Sequence, residues 1–226
     1  MQFVRPLRAA IVVVWPLLVA TCDGGGEEVV TTGRFRAEVW ADNWFSLSLG
    51  EAPVFEDSVP ITTERSFNRE VFGFDGEYPL VLNFVLKDYK ADDSGLEYIG
   101  TDRQQMGDGG FIAQITDTET GEVVAVSSAA WRCLVVHRAP LDVACEDDPD
   151  PGATCEAEIT AEPAGWQRAE FDASAWPTAV AYSEADVGPK DGYDQVDWDP
   201  SARLIWSASL QQDNTLLCHV VVDAPG

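Results

Sequence analysis

Basic residues are scarce in this chain. Fourteen Lys and Arg stand against 39 Asp and Glu, for a formal charge of −25. A surface of that sign repels phosphate backbones and anionic lipid headgroups, which excludes nucleic acid as a partner. Histidine is rarer still. His137 and His219 are the only two, and no CxxC occurs, so a zinc site of the Cys/His type is excluded. The chain also lacks GxSxG, HExxH, a Gly-rich phosphate loop and a Cys/His pairing, the local patterns that mark common hydrolases and nucleotide enzymes. Its longest apolar run falls short of the about 20 residues a membrane-spanning helix needs. No segment shows a 3.6-residue apolar period, which argues against amphipathic helices, and no internal repeat is present.

What is present describes a folded domain. Hydrophobic residues make up 46% of the chain and eight are Trp, too apolar a content for a disordered acidic polymer. Strong negative charge on a folded domain suits solubility and salt tolerance, or cation binding.

The N-terminus reads as an export signal. Arg5 and Arg8 give a positive start, and residues 9–20 (AAIVVVWPLLVA) form a 12-residue apolar stretch broken by Pro16. LVATC at 18–22 resembles the lipobox of bacterial lipoproteins, which implies that Cys22 is lipidated and becomes the mature N-terminus. The alternative is an ordinary secretory signal cut nearby. Residues 1–21 are thus the expected signal, and 22–33 (CDGGGEEVVTTG) a lipidated cysteine and flexible tether. Residues 34–226 are expected to form one domain. The protein is expected to be exported and held at a membrane only through its lipid.

Five cysteines are an odd number for an exported protein, and assigning Cys22 to the lipid leaves Cys133, Cys145, Cys155 and Cys218. Four cysteines allow three connectivities. A Cys145–Cys155 bridge would clip the acidic, Pro-containing segment between them, leaving Cys133 to pair with Cys218 over a long range.

Period-two alternation marks the strands. Residues 34–41 place Phe35, Ala37 and Val39 on one face, and 44–49 place Phe45, Leu47 and Leu49 inward before Gly50 and Pro53 break the run. Residues 65–74 are strand-like, and 80–86 are so apolar that a central strand buried on both faces is expected. Segments 111–116 and 122–127 flank DTETG as a hairpin, and 131–136 form another strand. An extended Pro- and Asp-rich crossing covers 139–165, short structure lies around 178–182, and two final strands span 203–209 and 215–222. The fold class is all-β, an antiparallel β-sandwich or jelly roll in a single domain with long acidic loops.

Four segments together carry a family resemblance. ADNWFSLSLG at 41–50, AVSSAAWRC at 125–133, GWQRAEFDASAWPTAVAY at 165–182 and RLIWSASLQQDNTLLCHVV at 203–221 resemble the galactose-binding-like β-sandwich domains attached to many glycoside hydrolases. The resemblance implies an antiparallel jelly roll that is usually non-catalytic. Some members bind sugars in loops at one end, others brace a neighbouring domain, and many carry a structural calcium.

The loop from 88 to 110 is too long and too mixed in chemistry for a passive turn. Its Tyr89, Asp93, Glu97, Tyr98, Asp102, Arg103, Gln105 and Asp108, together with Trp44, which adjoins Asp42 and Asn43, are the candidate ligand-binding residues. Carboxylates and amides bond sugar hydroxyls in pairs, and aromatic faces stack on a pyranose. The alternative is an ordered loop whose polar groups satisfy its own backbone. Trp40 and Trp198 adjoin polar residues and are further candidates to face a ligand, whereas Trp131, Trp166, Trp176 and Trp206 read as packing. A second acidic loop carries Asp191, Asp194, Asp197 and Asp199, a candidate calcium site, with a solvated charge run as the alternative. Asp42 and Asn43 form a further small cluster, equally readable as a turn. The expected function is a non-catalytic carbohydrate-binding or cell-surface recognition module. The competing expectation is a structural or protein-interaction module, calcium-stabilised and without a sugar site. A hydrolase using paired carboxylates is a third.

Overall fold

Alternating Phe35, Ala37, Val39 and Ala41 on one side and Glu38, Trp40 and Asp42 on the other make the first strand two-faced, and both of its faces are covered. The computed structural model describes residues 33–63, 67–88 and 91–225. The expected signal, Cys22, all of the tether but Gly33, and Tyr89 lie outside the described residues. The strands are β1 (Phe35–Asp42), β2 (Trp44–Leu49), β3 (Ala52–Glu56), β4 (Phe67–Phe74), β5 (Leu80–Lys87), β6 (Leu96–Glu97) and β7 (Gln105–Met106). They continue with β8 (Gly110–Asp117), β9 (Val123–Val126), β10 (Arg132–Arg138), β11 (Glu158–Ile159), β12 (Val180–Tyr182), β13 (Leu204–Trp206) and β14 (Asp213–Val222). Two single-turn helices, α1 (Pro151–Thr154) and α2 (Glu184–Val187), lie in the acidic crossings.

The strands form two antiparallel six-stranded sheets packed face to face, an all-β sandwich. One sheet runs β12-β13-β8-β1-β4, with β9 also on β8, and the other runs β11-β10-β14-β5-β2-β3. A third, two-stranded ribbon pairs β6 with β7. Asn43 alone separates β1 from β2, and there the chain passes from the first sheet to the second.

Phenylalanine dominates the space between the sheets. Phe35, Phe45, Phe72, Phe84 and Phe111 are each no more than 1% exposed and belong to one core with Trp131 and Trp206. Phe55 stacks on Phe72 with centroids 4.0 Å apart, a contact worth about 1 kcal/mol beyond its buried area. As its apolar run predicts, β5 is central. Leu80, Leu82, Phe84 and Leu86 enter the main core, while Val85 turns to an outer cluster with Trp166, Trp176 and Leu217. The outer face of the first sheet carries its own cluster of Trp40, Phe67, Ile112, Val187, Ala202 and Leu204. Segment 160–177 therefore roofs one sheet and 183–202 the other.

β3 begins inside the break expected at Gly50 and Pro53 and includes Pro53. Gly50 takes φ +55° in the turn, and Pro53 pairs with Ser48 beside a register shift on an edge strand. An edge position tolerates a residue with no amide proton. Cys133 and Cys218 face each other on β10 and β14 and are bridged, and Cys145 is bridged to Cys155. The pairing is the one in which a local clip leaves the long-range pair.

Candidate functional site

At one end of the sandwich four acidic residues converge, each delivered by the end of an element. Asp42 closes β1, opposite Gly110 of β8 and Phe67 of β4. Asp88 follows β5, where its amide donates to the Asn214 carbonyl at 3.0 Å, while the Asn43 amide donates to the Lys87 carbonyl at 3.0 Å. Glu97 ends β6, and Asp108 lies between β7 and β8. The strands before Asp42 and Asp88 are anchored by their apolar residues, which fixes where those carboxylates must emerge.

The β6–β7 ribbon folds down over this end. Leu96 pairs with Met106 and Glu97 with Gln105, and the Gln105 amide donates to Glu97 Oε2 at 3.0 Å. The turn between them is tied to its neighbour: Gln104 Nε2 donates to the Glu146 and Asp148 carbonyls, each at 2.8 Å, and the Met106 amide donates to Glu146 Oε1 at 3.2 Å. Since Glu146 lies inside the Cys145–Cys155 loop, the local disulfide supports the ribbon indirectly.

Ligand oxygens of Asp88, Glu97 and Asp108 lie within 4.8 Å of one another. Asp88 and Glu97 are 1% and 4% exposed, Asp42 is 3% exposed, and Asp108 is half-buried. Oδ1 of Asp42 has no hydrogen-bond partner. Burial, then the charges of Asp108, Asp88 and Glu97, push the Asp42 carboxyl well above the usual carboxylate range, with Lys190 acting in the opposite sense. Burial also raises Asp108, and Lys190 again opposes it. Two like charges at this spacing repel by about 3 kcal/mol at an effective dielectric of 20. The set is all oxygen, with neither His nor Cys, and is the only such group of three or more His, Cys, Asp or Glu among the described residues.

Asp108 also borders an open cleft of about 610 Å³, whose walls include Gln105, Met106, Tyr182, Asp186 and Leu210. Tyr182 is held by its hydroxyl, which donates to the Ser207 carbonyl at 2.7 Å.

The structure brings together Glu97, Gln105 and Asp108 of the candidate ligand residues. Asp102 and Arg103 stand exposed at the ribbon tip, with the Arg103 guanidinium 4.4 Å from the centroid of Tyr98, whose φ is +50°. Asp93 is exposed and its carbonyl accepts from His137 Nε2 at 3.1 Å. Trp44 is 8% exposed beneath Lys87, whose Nζ lies 4.6 Å from its ring, and Glu97 turns into the protein, so neither presents a face to the cleft. Trp40 is fully buried, its indole donating to the Lys190 carbonyl at 3.0 Å.

The second acidic loop lies across the outer face of the first sheet. Gln114 donates to the Asp197 carbonyl at 3.2 Å and accepts from the Asp199 amide at 2.6 Å. The Asp199 carboxylate accepts from Ser201, which holds its pKa down, and Asp191, Asp194 and Asp197 are exposed. These four do not form a grouped ligand set. The sequence candidates do not include Asp88, and they include Asp42 only as part of a small cluster. Their common signal is an acid placed directly where an apolar strand stops.

Comparison with known proteins gave no matching family model, no matching curated protein and no matching solved structure.

Proposed function

We propose that this domain is a non-catalytic recognition module that binds a neutral carbohydrate at one end of its sandwich. In this reading it is an exported lipoprotein anchored through Cys22 and akin to the galactose-binding-like domains. The observation that carries the proposal is the 610 Å³ cleft, within the size range of small-molecule sites and walled by amide, carboxylate and tyrosyl groups. Gln105, Asp108 and Asp186 offer paired acceptors and an amide donor for hydroxyls, and Tyr182 and Leu210 supply apolar surface. Carboxylate walls on a chain of charge −25 disfavour anionic sugars. A glycan array probed with the whole chain tests this. Neutral glycans should give signal that Gln105→Ala and Asp186→Ala remove, and an array without signal rejects the carbohydrate reading.

A second reading, a protein-interaction module, is favoured by Leu141, Val143 and Ile159, which are 43%, 56% and 59% exposed. Ile159 lies on β11, at the edge of its sheet. In that case the glycan array gives no signal and Ile159→Lys removes binding of the partner.

A further inference from the structure

We propose that Asp42, Asp88, Glu97 and Asp108 bind one divalent cation of the calcium class, joining the ends of β1 and β5 to the β6–β7 ribbon. Oxygens that share a calcium at 2.3–2.6 Å must all lie within about 5 Å of each other. Asp88, Glu97 and Asp108 already meet that condition, with their ligand atoms within 4.8 Å. The independent observation is Asp42, 3% exposed, with an Oδ1 that no hydrogen-bond donor reaches. Asp42 stands outside the 4.8 Å set but borders it: it pairs with Gly110, two residues from Asp108, and the amide of its neighbour Asn43 donates to the carbonyl of Lys87, the residue before Asp88. A buried carboxylate oxygen without a donor is costly, and a cation supplies the partner it lacks.

Charge points the same way. Four carboxylates meet here, and the cationic side chain whose field reaches Asp42 and Asp108 is Lys190. A divalent ion there would offset much of the mutual repulsion of the carboxylates. An all-carboxylate set without imidazole or thiolate selects a hard cation, and the number of carboxylates suits calcium better than magnesium, which keeps most of its water and takes one or two carboxylates. Half-buried Asp108 opens to the cleft, so water can complete the shell from that side. The ion would thereby fix the ribbon that forms one wall of the cleft. The inference goes beyond the recognition reading and survives its failure, because cation binding is measured without any glycan.

The test is calorimetric titration of calcium into the chelator-treated whole chain at neutral pH, with thermal melts in parallel. One saturable equivalent is expected, with the midpoint raised by about 5 °C or more. Asp42→Asn and Asp108→Asn should each weaken binding by about tenfold or more. Should Asp42→Asn not fold, the half-exposed Asp108→Asn carries the comparison. Absence of saturable heat and of any midpoint change with calcium, magnesium and manganese overturns the proposal. So does an Asp42→Asn variant that melts higher than wild type while calcium affects neither, since the carboxyls are then satisfied by protons. Binding lost in Asp194→Asn/Asp197→Asn but kept in Asp42→Asn would place the ion on the second loop and equally overturn it.

Discussion

The carboxylate of Asp88 rests against Gly107, where a β-carbon would lie 1.8 Å from Oδ2. Gly107 does not have a positive φ, so alanine there meets a steric conflict and no backbone one. Gly107→Ala must push Asp88 away from Glu97 and Asp108. We expect a loss of about 1–3 kcal/mol in urea unfolding and a smaller gain on adding calcium than in wild type. An unchanged midpoint in both conditions would show that Asp88 relocates freely.

Asp57, 6% exposed after β3, gives a pH dependence of known sign. Burial raises its pKa to about 7, with Glu70 and Glu56 adding to the rise and the Val59 amide and Asn68 side chain opposing it. The folded state therefore holds a proton between about pH 4 and 7 that the unfolded chain releases. The stability this confers is complete below the unfolded pKa and is lost as pH rises through about 7. Asp57→Asn should gain about 1–3 kcal/mol on wild type at pH 8 and little at pH 4, read from urea midpoints at both. Parallel pH profiles for the two proteins would remove Asp57 as the cause.

The two disulfides differ in what they restrain. Cys133–Cys218 closes 85 residues and Cys145–Cys155 closes 10. Loop-closure entropy assigns about 4–5 kcal/mol to the first and about 2–3 kcal/mol to the second. Double alanine variants unfolded in urea should follow that order, and the Cys145/Cys155 pair should also loosen the ribbon held by Glu146. Equal losses would mean that the bridges act through native packing and not through the unfolded chain.

Gln114 is the peg on which the second acidic loop hangs. Its amide donates to Glu38 Oε2 at 2.8 Å and to the Asp197 carbonyl, and its oxygen accepts from the Asp199 amide. Gln114→Ala removes three partners at a site 5% exposed, for an expected loss of about 1–3 kcal/mol. Limited proteolysis should then cut within 185–200 ahead of the rest of the chain. Resistance equal to wild type would assign the loop's order to Trp198 and Val196 instead.

Much of the sandwich was legible because most of its strands alternate. The face of β1 that carries Phe35, Ala37 and Val39 and the nearly continuous apolar run of β5, interrupted at Asn83, each dictate a single placement. β3 was hidden by Pro53, whose tolerance depends on an edge position that local sequence does not reveal. β6 and β7 are two residues each, too short for any period. The acidic centre was legible only in part. Asp42, Asp88, Glu97 and Asp108 have no motif spacing, and their meeting follows from β1 and β5 ending at the same edge of different sheets. Trp44 adjoins polar residues in sequence yet is covered, because the pleat that turns Phe45 to the core puts Trp44 on the opposite face, under Lys87.

Both bridged pairs leave the first sheet untouched: Cys133 and Cys218 belong to β10 and β14, and Cys145 and Cys155 to the crossing between β10 and β11. No disulfide among the described residues spans the phenylalanine layer, so the two halves of the molecule are cemented by side-chain packing and the continuity of the chain. Resistance to unfolding is therefore lopsided. Under mild denaturation the backbone amides of β1, β4 and β8 are placed to exchange with solvent before those of β5, β10 and β14, and the molecule would open like a book with one stiffened cover.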